Sequence, residues 1–212
     1  ELDDARGVSQ SSVAQSSASC RFQLPKSRGE RRNRCHTPVV GGVDPDDVRR
    51  GIRPHTRLIT IMHANNEVGT IQPIGSIGAI ARDHGIPFHT DAAQSAGKVS
   101  VDVESLSVDL LSIAGHKLYG PKGVGVLFVR EGVPLEPLLH GAGHESGRRA
   151  GTENILEIVG LGAACEVADE YVDRGMVRQL RDEFWERLRD EFGDRIVLNG
   201  HPVDRLPNTL NV

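Results

Sequence analysis

Cysteine is scarce. Cys20, Cys35 and Cys165 are the only three in 212 residues, odd in number and far apart. That spacing fits neither a disulfide framework nor a paired zinc site, so no metal is expected and a reducing compartment is the natural setting. No apolar run approaches the roughly 20 residues of a membrane-spanning helix, and the opening Glu1-Leu2-Asp3-Asp4 does not read as a signal peptide. The expected location is cytoplasmic. Charge of neither sign dominates: 25 Lys and Arg stand against 29 Asp and Glu, interspersed, for a net of −4. There is thus no electrostatic ground for a nucleic acid or a membrane surface as partner. A plain nucleotide-binding role is also disfavoured, because no Gly-x-Gly-x-x-Gly or Walker pattern follows a strand.

What is present changes character along the chain. Residues 1–41 are rich in Ser and Arg, with little apolar periodicity, and are expected to be disordered or foreign to the fold. From Val43 onward strand and helix signals alternate. Asp44-Pro45-Asp46-Asp47 reads as a helix start. Residues 58–62 read as a buried strand, 63–69 as a loop, 74–84 as a helix and 86–90 as a second strand, which together form a βαβ unit. A short helical stretch is expected after Asp91, then a strand over 108–113, a further strand over 122–129 and a polar, glycine-rich loop over 140–152. Residues 155–192 have helical spacing throughout. Residues 195–199 and 208–212 read as the first strands of a second domain. The fold class expected is α/β with a mainly parallel sheet, divided into an aberrant segment (1–41), part of a large domain (42–154), bridging helices (155–192) and the beginning of a small α+β domain (193–212).

A βαβ crossover makes its strands parallel, so the residues following them gather at one edge of the sheet, where open α/β sheets bind ligands. Asn66, Asp91, Gln94, His116 and Lys117 all fall there. A lysine in such a place can form a Schiff base with an aldehyde cofactor. Pyridoxal phosphate further needs a carboxylate beside its ring nitrogen to act as an electron sink, and Asp91 is the candidate. Gln94 and Asn66 can hydrogen-bond the ring oxygen, and His116 can serve in proton transfer or contact the phosphate. Taken singly, each has a plainer reading: Asp91 as a helix N-cap, Lys117 as a surface lysine, His116 as a structural histidine, Asn65-Asn66 as a turn.

Four contiguous motifs outweigh those readings. They are His63-Ala64-Asn65-Asn66-Glu67-Val68-Gly69, His89-Thr90-Asp91-Ala92-Ala93-Gln94-Ser95, Ala114-Gly115-His116-Lys117-Leu118-Tyr119-Gly120-Pro121-Lys122-Gly123 and Gly143-His144-Glu145-Ser146-Gly147-Arg148-Arg149-Ala150-Gly151-Thr152-Glu153-Asn154. In order and spacing they resemble the class V pyridoxal phosphate enzymes of the cysteine desulfurase and selenocysteine lyase type, from about Val43 to Val212. The resemblance implies the large domain of an aspartate aminotransferase-like fold. It makes Lys117 the Schiff-base lysine, Asp91 the ring-nitrogen partner, Asn66 and Gln94 the residues near the ring oxygen, and His116 a cofactor-proximal histidine. Thr152 matches a threonine that reaches the cofactor phosphate of the other subunit, which implies a homodimer. Ala114 departs from the pattern, since several members carry a phosphate-contacting serine there.

The resemblance also implies parts not found in these residues. The family's phosphate loop and ring-stacking histidine precede the first motif and have no counterpart in residues 1–41. Its nucleophilic cysteine and substrate-carboxylate arginine lie beyond Leu206-Pro207-Asn208-Thr209. Cys165, in an apolar helical run, is expected to be a structural thiol. The loss of pattern before Val43 suggests a disrupted reading frame or a decayed gene. The expected activity is removal of sulfur from L-cysteine to give L-alanine and a persulfide, weak or absent in this chain, with a sulfur-acceptor protein as a further partner. The alternatives are selenocysteine lyase, another class V aminotransferase-type enzyme, and a non-catalytic remnant.

Overall fold

The computed structural model describes the strands Ser12–Ser17 and Ser19–Gln23, residues 41–172 and residues 175–212. A six-stranded sheet organises the described residues: β1 (Ser12–Ser17), β2 (Ser19–Gln23), β3 (Thr56–Met62), β4 (Phe88–Asp91), β5 (Leu110–Ala114) and β6 (Gly125–Val129), in the order β2-β1-β3-β4-β5-β6. β1, β3, β4 and β5 are mutually parallel, while β2 and β6 run antiparallel at the two edges. The sheet is therefore mixed but mostly parallel, as the βαβ reading requires.

Helix α1 (Pro45–Gly51) begins where expected. The Asp44 side chain accepts the Asp46 amide at 2.8 Å, and Pro45 stands in the first turn, where its missing N–H costs nothing. Asp46 and Asp47 in that turn and Arg49 and Arg50 in the last complement the helix dipole. Helix α2 (Ile74–Asp83) buries Ile74, Ile77, Ile80 and Ala81 at helical spacing. Ile74, Ile77 and Ala81 pack with Val48 of α1 against Ile59, Ile61, Phe88 and Leu111, which are the inward residues of β3, β4 and β5. This is the main core, and it occupies one face of the sheet.

Strand alternation places Thr60, His89, Asp91 and Ser112 on the opposite face. After β5 come a 3-10 turn (Gly115–Leu118), β6, the four-residue α3 (His144–Gly147) and two long helices, α4 (Ile155–Asp169) and α5 (Met176–Phe192). Leu161 of α4 packs on Ala96 and Leu118, with the half-buried Cys165 beside them as a free thiol.

Three expectations need correction. Within residues 1–41, two stretches are strands: β1 pairs with the free edge of β3 through Val13↔Leu58 and Ala14↔Ile59. Main-chain groups drive such pairing, so a Ser-rich segment without apolar periodicity can still supply it. The rest of that call lies outside the described residues. After Asp91 the chain forms consecutive turns over 93–98 in place of a helix. Residues 195–199 and 208–212 form no strand pair; Asn199 and Asn211 share one main-chain bond at 2.9 Å and one side-chain amide bond at 2.8 Å. The intervening segment is used elsewhere. Leu206 donates to Gly69 O at 2.8 Å, the Ile71 amide donates to Asp204 O at 2.9 Å and the Arg205 guanidinium donates to Val68 O at 3.0 Å, so the C-terminal segment is stitched to the loop after β3.

Candidate active site

The carboxyl edge of β3, β4 and β5 carries three connections, and the start of each has a local reason for its shape. After β3, Asn65 is buried and its Oδ1 accepts the Glu67 and Val68 amides at 2.8 and 3.0 Å. That side-chain turn leaves the next residue, Asn66, exposed to solvent. After β4, the Ala92 amide donates to Ser112 O at 2.9 Å and Asp91 Oδ1 accepts the Ala93 amide at 2.8 Å. The Asp91 carboxylate is half-buried, and Oδ2 takes no hydrogen bond from the described residues. Gln94 follows in the same turn, half-buried.

After β5 the chain tightens into the Gly115–Leu118 turn. A side chain at Gly115 would meet Val124 O at 2.9 Å, so this close approach of β5 and β6 requires glycine. Leu118 is buried against Ala96 and Leu161, which leaves His116 and Lys117 facing solvent. Lys117 lines a cavity of about 760 Å3 together with Lys98, Tyr119, Tyr171 and Asn208. Lys98 donates to Gln94 O at 2.7 Å, and burial first, then the Lys117 ammonium, lowers its pKa below the ordinary lysine value.

Asn66, Asp91, Gln94, His116 and Lys117 thus stand on adjacent connections at one sheet edge. Thr152 stands on none of these three connections. It is exposed on the segment between α3 and α4, whose main chain is braced by Arg149 donating to Ala150 O and Gly151 O at 3.1 and 2.8 Å.

Sequence reasoning passed over the layer beneath. His89 lies on the same strand face as Asp91, and its two ring nitrogens are 2.6 Å from Thr60 Oγ1 and 2.7 Å from Ser112 Oγ, so one imidazole bridges three strands. Burial lowers its pKa, and the nearby Asp91 carboxylate opposes that shift. His63 is buried with its Nδ1 2.9 Å from Ser95 Oγ, and burial holds its pKa at about 4. The period-two spacing of His89 and Asp91 carried a signal for the first; nothing local pointed to the pairing of His63 with Ser95.

Comparison with known proteins gives the family and the fold. The class V aminotransferase family profile matches residues 18–201. The chain belongs to that family. Its family pattern reaches back to residue 18, ahead of the expected start at Val43. A curated relative, the cysteine desulfurase IscS of Dictyoglomus turgidum, is 49% identical over 173 residues, which cover 81% of this chain and 44% of that protein. Among solved structures, a NifS-like protein superposes with a TM-score of 0.76 at 38% identity, covering 81% of this chain and 48% of its own. The protein SspA in complex with cysteine gives a TM-score of 0.63 at 46% identity, covering 73% and 43%. The chain spans less than half the length of these relatives. Among the described residues, no helix is long and apolar enough to cross a membrane.

Proposed function

We propose that this chain carries the lysine-bearing part of a cysteine desulfurase site, holding pyridoxal 5'-phosphate at Lys117 and serving the conversion of L-cysteine to L-alanine with release of sulfur to an acceptor thiol. The observation that carries the reading is the adjacency of β4 and β5, which sets Asp91, paired in register with Ser112, one strand away from the turn bearing Lys117. The donor set suits the cofactor. Lys117 offers an exposed primary amine, and Asp91 offers a carboxylate oxygen without a partner among the described residues.

When bound, pyridoxal phosphate supplies an electron sink that a polypeptide lacks. The chain's own residues supply the rest. Asp91 would pair with the ring nitrogen and keep it protonated. Gln94 and Asn66 would hydrogen-bond the ring oxygen. Lys117 Nζ would hold the cofactor and would accept the proton from the substrate α-carbon, with the adjacent His116 as a second proton-transfer group. The half-buried Cys165, packed in α4, is no candidate for the acceptor thiol.

A homodimer belongs to the same reading. Thr152 is exposed on the segment between α3 and α4, open to a partner's cofactor. Leu156 and Val159 of α4, 86% and 65% exposed, form an apolar surface that needs cover. The deciding experiment is titration of the chain with pyridoxal phosphate, followed by visible absorbance. A band that Lys117→Ala abolishes and Asp91→Ala weakens is expected. A wild-type chain without the band, or a band that survives Lys117→Ala, would overturn the reading.

A further inference from the structure

Beneath the proposed site lies a buried polar pair that touches both connections on which it is built. His63, 4% exposed, is the first residue past β3 and stands three residues before Asn66; Ser95, fully buried, directly follows Gln94. The His63 amide donates to Asp91 O at 2.9 Å, and His63 Nδ1 stands 2.9 Å from Ser95 Oγ. The Ser95 hydroxyl donates to Ala92 O at 3.3 Å. With its one proton so directed, Ser95 Oγ accepts from His63 Nδ1–H, the neutral form that burial of the ring favours.

A buried hydrogen bond between two loops holds them in one relative placement, because losing either partner strands the other without water to replace it. Here the bond runs between the loop that presents Asn66 and the turn that presents Asp91 and Gln94. Main-chain bonds already close each connection on itself. Beyond the strand ladder and the apolar packing of Ala64 with Val99 and Leu206, the His63 side chain reaches from one to the other by a hydrogen bond.

We propose that His63 and Ser95 form a positioning pair whose hydrogen bond sets the separation of Asn66 from Asp91 and Gln94, and thereby how these three residues receive the pyridoxal ring. This rests on the function proposed above, and the two are tested separately. The chain is compared with Ser95→Ala, His63→Leu and His63→Asn, the last of which keeps a polar atom near the place of Nδ1. Amide NMR of the cofactor-free proteins reports the loops themselves, and the visible band on titration with pyridoxal phosphate reports the site.

In Ser95→Ala the amides of residues 65–68, across the gap, shift along with those near the substitution, and cofactor affinity falls about tenfold, the worth of one hydrogen bond. His63→Leu behaves alike and His63→Asn recovers most of the affinity. Amide changes confined to residues 92–99 in Ser95→Ala, or equal loss in His63→Asn and His63→Leu, would overturn the pairing by showing that the imidazole only fills space. Ser95→Ala, the mildest change, decides if His63→Leu does not fold. If the wild-type chain gives no band, the proposed function fails, and the cross-gap amide shifts still decide the pair.

Discussion

His89 Nε2 lies 2.7 Å from Ser112 Oγ, so the histidine two residues before Asp91 is bonded across the sheet to the residue that pairs with Asp91 itself. Its other nitrogen meets Thr60. A ring held on both sides and partly desolvated resists protonation, and the carboxylate of Asp91 is the influence that counters this. Removing that charge should leave burial unopposed. In an NMR titration of the chain, the His89 pKa in Asp91→Asn is expected below its wild-type position, which is itself below the ordinary histidine value; an upward move would show that the carboxylate does not act on the ring.

His63 gives the fold an acid-sensitive element. Its pKa is about 4, against 6.5 for an ordinary histidine, and burial is the cause. Between those values the unfolded chain binds a proton that the folded chain refuses, so stability rises with pH there. The contribution is complete above the unfolded value and is lost as pH falls through 4, amounting to roughly 3 kcal/mol. Urea unfolding at pH 7 and at pH 4.5 checks this: His63→Asn should show a smaller loss on acidification than the wild type, and an equal loss would place the acid sensitivity elsewhere.

Much of this was legible in the residues, and the limits have physical causes. β3, α2, β4 and β5 announce themselves because each buries one face and so repeats apolar residues at its own period: Ile59 and Ile61 along β3, Ile74, Ile77 and Ala81 along α2. Once the strands are parallel, the place of Asp91 and Lys117 at one edge follows from topology alone. β1 was not legible, because a strand added to an edge is held by its main chain and leaves little trace in side-chain pattern. The C-terminal stretches misled for the opposite reason. Ile196-Val197-Leu198 and the β-favouring residues around Leu210 look strand-like, yet Leu206 is anchored to Gly69 and Arg205 to Val68, so the segment follows the loop after β3. The hydrogen bond between His63 and Ser95 joins residues 32 apart, and a separation of that kind has no local signature.

Lys98 and Lys117 line one cavity, and the charge on the second opposes that on the first. Burial is the larger cause of the lowered Lys98 value. Lys117→Met should therefore raise the Lys98 pKa only part of the way back to that of an ordinary lysine, as read from side-chain 15N shifts in the cofactor-free chain. Full restoration would mean that burial contributes nothing, and no change would mean that the two ammonium groups are screened from one another.

Two helical glycines should answer the same substitution with opposite signs. Gly78 lies in α2, where an added Cβ would come within 2.6 Å of Ser107 O and 2.8 Å of Leu106 O. Both are main-chain atoms, so neither can swing aside, and α2 would have to lift from the core it covers. Gly78→Ala is expected to destabilise the chain by about 2 kcal/mol. Gly162 lies in α4, exposed, with nothing within 4 Å of an added Cβ. There alanine only reduces the backbone freedom that the helix must restrict, and Gly162→Ala should stabilise by up to about 1 kcal/mol. Urea midpoints of the two variants beside the wild type give the signs directly. If Gly78→Ala were neutral, α2 would have to sit farther from the 106–107 turn than described, and the face carrying Ile74, Ile77 and Ala81 would then be less closely packed on β3 and β4.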